Sequence, residues 1–291
     1  MLHESTPGAY ELHRPARITP ATIATMWIQG LTGLLLATTA ATLAYAFRTL
    51  TVSGAVAAVL VGTIVYSAGA IRWSVVLLVF FASASLLARW SRPIANGSET
   101  IEAKSDCRDA AQVLANGGVP AFYCLLWIVR GSPFWSLAFT AAVAAATADT
   151  WATELGKRSD SRPVHIVTRQ TVTTGTSGGV TMVGFLASIG GACLVAIAGT
   201  LTMRAGMSFL AVVPVAGFLG AGVDSLLGAT LQEQRFCRSC HISTEQPVHI
   251  PCGSPTTVIS GIQGLNNDWV NAAASLSGSV LALAAAVIGL A

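Results

Sequence analysis

Charge is what this chain has least of. Only 10% of its 291 residues are Asp, Glu, Lys or Arg, where a soluble globular domain carries about a quarter, so a soluble domain is excluded. The formal net charge is +3, too small for the basic surface that neutralises nucleic-acid phosphates. A typical cleaved signal peptide is also missing: the first residues are polar, with His3, Glu4, Glu11, Arg14 and Arg17, and the first apolar stretch starts late and runs long. Nor is there a convincing internal repeat of the kind alternating-access carriers often show.

What remains is apolar. Hydrophobic residues make up 53% of the chain and the mean hydropathy is +0.65. Runs of roughly 17 to 25 apolar residues are the signature of membrane spans, and they occur at Ile23 to Phe47, Gly54 to Ala70, Trp73 to Ala88, Val113 to Val129, Pro133 to Leu155, Val180 to Met203, Phe209 to Leu231 and Trp269 to Leu290. The expected fold is an all-α polytopic membrane protein, a bundle of about eight helices, or as few as six if the short second and third runs form a re-entrant pair. A polar tail (1–22) precedes one integral membrane domain (23–291), into which a polar loop (233–262) is inserted.

Eight spans sort the sixteen Lys and Arg residues onto two faces. One face takes eleven: Arg48, Arg89, Arg92, Lys104, Arg108, Lys157, Arg158, Arg162, Arg169, Arg235 and Arg238. The other takes Arg14, Arg17, Arg72, Arg130 and Arg204. Retention of positive charge inside the cell predicts that the richer face is cytoplasmic and that both termini lie outside.

Acidic side chains at membrane depth cost several kcal/mol unless paired, metal-bound or facing a water-filled cavity, and so mark candidate function. Asp149, Glu154, Asp224 and Asp268 lie inside or at the ends of the apolar runs, on the face predicted to be cytoplasmic. A helix places Asp149 and Thr153 on one side, with Thr150 and Glu154 turned from them by about 100°. Carboxylates among hydroxyls and carboxamides suit Mg²⁺, which takes one or two carboxylates and completes its shell with water and phosphate oxygens. Asp224 with Ser225, and Asp268 with Asn266, Asn267 and Asn271, offer comparable sets, to which Asp109 and Asn116 could add another. The competing reading pairs these acids with Arg108, Lys157 or Arg158 as salt bridges holding the helices in register. Gly217, Gly220 and Gly222 suit close helix contacts just before Asp224.

The stretch Thr174-Gly-Thr-Ser-Gly-Gly-Val-Thr181 reads as a glycine-rich turn opening a helix, with Thr176 or Ser177 as its N-cap. Free amides of Thr176, Ser177, Gly178 and Gly179 would then form an anion site, unless the turn is simply a cap. A Walker lysine is absent, so Lys157, Arg158 and Arg169 would supply the cations.

In the inserted loop Cys237-x-x-Cys240 is followed by His249-x-x-Cys252. Paired two-residue spacings of thiols and an imidazole fit a closed structural zinc site, with His241 as a possible substitute ligand. A disulfide is the alternative, disfavoured on a reducing face. Cys107, Cys124 and Cys193 stand alone and read as packing residues.

These stretches together, Arg108-Asp-Ala-Ala-Gln-Val-Leu-Ala-Asn-Gly-Gly118, Ala148-Asp-Thr-Trp-Ala-Thr-Glu-Leu-Gly156, Gly175-Thr-Ser-Gly-Gly-Val180 and Gly222-Val-Asp-Ser-Leu-Leu-Gly-Ala229, resemble an integral membrane family that includes phytyl-phosphate kinase of vitamin E biosynthesis and human transmembrane protein 19. The Cys/His loop and Leu265-Asn-Asn-Asp-Trp-Val-Asn271 share the resemblance, which extends from Ser53 onward. One departure is Thr171-Val-Thr-Thr-Gly175, where many members carry a proline.

The resemblance implies phosphoryl transfer from a nucleoside triphosphate, plausibly CTP, to an isoprenoid monophosphate such as phytyl or geranylgeranyl phosphate. On that expectation Asp149 and Asp224 hold Mg²⁺, and Asp268 binds a second metal or orients the acceptor. Arg108, Asn116, Asn267, Lys157, Arg158 and the turn from Thr176 to Gly179 contact phosphate, and Glu154 is a metal ligand or the partner of Lys157. An ion-coupled transporter and a lipid cytidylyltransferase are the competing functions.

Overall fold

A computed structural model describes residues 20–90, 107–249 and 251–290. Arg14, Arg17, Arg92, Lys104 and nearly all of the polar tail lie outside the described residues. The described chain forms seven helices: α1 (Pro20–Ala46), α2 (Val52–Trp90), α3 (Ala110–Arg130), α4 (Phe134–Gly156), α5 (Met182–Met203), α6 (Met207–Thr230) and α7 (Asn267–Val287). All but α4 are long and apolar enough to cross a membrane.

The long α2 is two antiparallel limbs. Ala70 leaves helical geometry at φ 47°, ψ −141°, and both ends of α2 return to the same place. At its start Thr51 N donates to Arg108 O at 3.0 Å; at its end the Arg89 guanidinium donates to the carbonyl of Phe47. Residues 52–69 and 71–90 are therefore two limbs joined at Ala70, with the turn at the end of the bundle opposite to their outer ends. Trp73, just past the turn, packs on Trp127 and Phe139 at the opposite end.

The chain thus runs back and forth eight times. Local chemistry marks the reversals. Asp109 caps α3 through a reciprocal box with Gln112, Thr181 caps α5 by accepting from Gly184 N, and Asn266 caps α7. Gly131, at φ 63°, ends α3 in the left-handed conformation that a residue without Cβ adopts at no steric cost. Asp109 engages one carboxylate oxygen, Oδ1, in that cap.

α4 is the axle of the bundle. Every residue from Leu137 to Ala148 is buried, and its alanines and threonines let neighbours approach to backbone distance, the packing mode available where lipid supplies no hydrophobic drive between helices. Thr140 meets Gly199, Thr147 meets Gly191 and Ala152 meets Gly184, so α5 runs antiparallel beside it for its whole length. α4 therefore crosses the same layer as α5, although shielding from lipid lets it be less hydrophobic.

On its other side Ala144 and Ala145 receive Gly217 and Gly220 of α6, and Ala145 also receives Gly278 of α7. A Cβ on Gly220 would sit 2.7 Å from Ala145 Cβ and 2.8 Å from Ala274 O. Gly220→Val is expected to destabilise the purified protein by about 3 kcal/mol through overpacking. Gly222 has nothing within 4 Å of such an atom, contrary to its expected place in the contact, so Gly222→Val should stay within about 0.5 kcal/mol of wild type. Thermal unfolding in detergent compares the two.

The polar connections carry small sheets. β1 (Val164–His165) pairs with β2 (Gly179–Val180) between α4 and α5. Between α6 and α7, β3 (Gln234–Cys237) lies between β4 (Ile242–Thr244) and β7 (Thr257–Ser260), and β5 (Val248–His249) pairs with β6 (Ser254–Pro255). Both insertions, the end of α2, the start of α3 and the start of α7 lie at one end of the bundle.

Candidate carboxylate site and metal loop

The packed layer of Ala145, Gly220 and Ala274 fixes what lies one turn beyond it. Asp149 follows Ala145 by four residues, Asp224 follows Gly220 by four, and Asn271 precedes Ala274 by three on the antiparallel helix. All three side chains converge at the centre of the motif-bearing end. The Asn271 amide nitrogen lies 3.3 Å from Asp149 Oδ2 and 2.9 Å from Asp224 Oδ1, in the orientation that lets its oxygen accept from Asn267 Nδ2 at 3.2 Å; the surrounding partners fix that orientation. Asp268 sits in the first turn of α7, half-buried, where the helix dipole favours a negative charge. Asn266 is engaged as the cap, accepting from Asp268 N at 3.1 Å and Trp269 N at 3.3 Å.

Two carboxylates bridged by one carboxamide repel each other, and a bound cation relieves that repulsion. The carboxylates offer hard oxygens from two helices, α4 and α6, so this pair fits Mg²⁺ in ligand type.

Glu154 is turned elsewhere. It pairs with Lys157 at 3.2 Å and faces Arg108 across the bundle end. Arg108 lies over the rings of Phe80 and Phe81, 5.6 and 5.8 Å from their centroids. Arg158, expected at a phosphate, instead donates to Trp90 O at 2.7 Å with its guanidinium 4.0 Å from the Trp90 ring centroid. That contact ties the end of α4 to the end of α2. Asn116 donates to Gln112 O at 3.3 Å and borders a groove toward α1 and α2.

The glycine-rich turn is not a helix N-terminus. Pairing of β1 with β2 holds Gly179 and Val180 extended, so α5 cannot begin before Met182 and its cap is Thr181, not Thr176 or Ser177. The amides of Thr176 and Gly179 are taken by the carbonyls of Thr173 and Thr176 at 3.2 and 2.9 Å, which removes them from the expected anion site. Gly178, at φ +77°, lies so close to α6 that a Cβ would stand 2.4 Å from Ala229 Cβ.

Ser177 Oγ donates to Glu245 Oε1 at 2.6 Å, and Gln232 Nε2 donates to the same oxygen at 2.7 Å. Glu245, which no sequence pattern singles out, thus joins the metal loop, the glycine turn and the end of α6, and it lies within electrostatic range of Asp224. Hydrogen bonds to a charged group contribute about 1.5–3 kcal/mol. Glu245→Ala should therefore loosen the turn, raising hydrogen exchange at 173–180 by about tenfold or more, while exchange in α4 stays unchanged.

Cys237, Cys240, His249 and Cys252 bring their ligand atoms within 4.8 Å of one another. Two hairpin turns present them: Cys237 ends β3 and Cys240 follows in its turn, while His249 ends β5 and Cys252 follows in the next. Zinc at about 2.3 Å from each sulfur requires tetrahedral sulfurs about 3.8 Å apart. Cys237 and Cys252 sulfurs are 3.5 Å apart and His249 Nδ1 is 3.2 Å from Cys252 Sγ, so the cluster fits the ion and no disulfide joins it. Hydrogen bonds from the hydroxyl and amide of Ser254, then from His249, lower the Cys252 thiol to about 6, while its bond to Cys252 pushes Cys240 up to about 12. His241 turns away at φ 57° to meet the Phe236 ring and is not in the set.

The family described as integral membrane protein DUF92 matches residues 35–279. The match starts inside α1, earlier than the resemblance read from Ser53 onward. Protein PGR of Arabidopsis thaliana is 32% identical over 270 residues, covering 84% of this chain and 91% of its own. An uncharacterized membrane protein of Methanocaldococcus jannaschii is 30% identical over 200 residues, covering 67% and 80%. A further uncharacterized membrane protein, from Synechocystis, is 27% identical over 177 residues, covering 60% and 68%. No solved structure matches the chain significantly.

Proposed function

The chain belongs to the integral membrane protein family DUF92, and from that premise we propose that it is a membrane-embedded, Mg²⁺-dependent kinase that phosphorylates an isoprenoid monophosphate such as phytyl or geranylgeranyl phosphate, with CTP as the plausible donor. The observation that carries this reading is the meeting of Asp149 and Asp224 at Asn271, on three helices at the end of the bundle that also bears most of the basic residues. Phosphoryl transfer asks little of the protein beyond positioning and charge neutralisation.

In the reaction an oxygen of the acceptor monophosphate bonds to the γ-phosphorus of the nucleotide, the bond to the bridging β-oxygen breaks, and the products are the prenyl diphosphate and a nucleoside diphosphate. Mg²⁺ held by Asp149 and Asp224 would neutralise the donor phosphates. Asn271 orients both carboxylates, Asp268 orients the acceptor or holds a second ion, and Lys157 and Arg108 supply positive charge beside them. The contact of Ser177 with Glu245 holds the glycine turn beside the end of α6. Retained positive charge assigns this end to the cytoplasm, where nucleotide arrives from water, and the Cys/His cluster is assigned structural zinc.

Purified protein incubated with Mg²⁺, labelled CTP and geranylgeranyl phosphate tests the reading. Label in a diphosphate, with cytidine diphosphate released, supports it. A cytidylylated lipid with pyrophosphate release would replace it with nucleotidyl transfer, and ion flux in proteoliposomes without any lipid product would replace it with transport.

A further inference from the structure

An apolar groove of about 290 Å³ runs between α1, both limbs of α2 and the start of α3. Small residues such as Gly33, Ala40 and Ala58 line it, and Leu36, Ile71 and Leu78 on its walls are exposed on the outside of the bundle, so it opens sideways to lipid. Its lining is mostly apolar: apart from Tyr66 and Ser74 near the Ala70 turn, its polar groups form a stripe that runs in from the motif-bearing end. Gln112 and Asn116 border the groove four residues apart, on one face of α3, and Arg108, just before the Asp109 cap, borders it at its end.

Polar groups at membrane depth are costly and face an interior cavity. Capping accounts for Gln112 through its bond to Asp109 N and Asn116 donates to the Gln112 carbonyl, but the Phe80 and Phe81 rings beside Arg108 offer its guanidinium no acceptor oxygen. The charged end of the trough lies beside the carboxylate site: Arg108 faces Glu154, which pairs with Lys157, and both belong to the turns of α4 that follow Asp149.

We propose that this groove is the binding site for the isoprenoid chain of the lipid phosphate, with the phosphate held against Arg108 at its mouth. The placement rests on the phosphoryl-transfer reading above. Charge complementarity chooses the occupant: one guanidinium at the end of an apolar trough matches a single-chain lipid ending in a phosphate. The volume is near the lower limit for small-molecule cavities, about 300 Å³, so the groove grips the part of the chain nearest the phosphate and the remainder extends into the bilayer.

Full-length protein in phosphatidylcholine nanodiscs, photolabelled with a geranylgeranyl phosphate bearing a diazirine near its phosphate end, tests the site without nucleotide. Mapped label is expected on residues 33–44 and 58–81, which border the groove. Ala40→Trp, which grows into the open trough, and Arg108→Gln should each lower labelling about tenfold. Leu43→Trp, on α1 but outside the groove, should leave it unchanged. Label confined to α5, α6 or α7, or undiminished in Ala40→Trp, would overturn the proposal. So would competition by geranylgeraniol as effective as by geranylgeranyl phosphate, since the trough would then hold any membrane lipid. Phosphate transfer with label elsewhere removes the groove alone; label in the groove with no transfer from any nucleotide removes the kinase reading and leaves the site.

Discussion

Asp149→Asn and Asp224→Asn are each expected to lower kcat/KM by about a thousandfold, the loss typical of removing one electrostatic contact to a charged transition state. Asparagine keeps the shape of aspartate and an oxygen that can accept from the Asn271 amide, which spans both carboxylates at 2.9 and 3.3 Å. The bridge between α4, α6 and α7 therefore survives while the negative charge that would hold Mg²⁺ does not. Thermal stability near that of wild type accompanies the loss, separating a site effect from collapse of the bundle. The double variant should be hardly worse than either single one, because residues acting on one ion act as a unit. Glu154→Gln is expected to cost far less, since Glu154 turns toward Lys157 and Arg108. Undiminished turnover in Asp224→Asn would remove the carboxylate pair from the chemistry.

The second large effect is on the loop between α6 and α7. Cys237→Ser with Cys240→Ser is expected to remove about one equivalent of zinc and, with it, an apparent binding energy of about 10 kcal/mol or more that otherwise folds the loop. The loop has little else to hold it. Its strands are two to four residues long, and its buried positions are mostly polar or ligating: Cys237, Thr244, His249 and Thr256. Metal analysis reads the lost ion, and limited proteolysis reads cleavage within 234–260. The helices should remain resistant, because α4 is packed by α5, α6 and α7 independently of the loop. Loss of the loop also frees Ser177 and Gln232 from Glu245, so hydrogen exchange at the glycine turn should rise as it does in Glu245→Ala. Intact protein that binds no zinc and resists proteolysis would remove the metal from the fold.

Particular elements show how far patterns along the chain carried. The apolar runs at 54–70 and 73–88 were visible as two short stretches, and the turn at Ala70 that separates them is one residue in a conformation that alanine rarely adopts. Gly69 and Arg72 flank it in sequence, and contacts of Thr51 and Arg89 at the far end hold the limbs together. The glycine-rich turn looked like a helix start because glycine followed by Val180 and Thr181 fits one. A two-residue strand pairing from a segment fifteen residues earlier displaced the start to Met182. Arg158 was assigned to phosphate by its neighbourhood in sequence, and an aromatic ring from α2 claimed it instead.

Membrane residence, the alternation of apolar runs, the acids within them and the four clustered residues of the Cys/His loop were therefore written into the order of residues. Each rests on a local quantity: the length of an apolar run, the sign of a connecting loop, the spacing of two cysteines. Long-range packing decided the rest. Asp149 meets Asp224 because Ala145 and Gly220 touch one turn away, Glu245 reaches Ser177 because the Cys/His loop folds over α6, and Arg108 borders an apolar trough because α1, the two limbs of α2 and the start of α3 leave a groove between them. Such meetings depend on how closely helices can approach, which side-chain volumes on several distant segments set together.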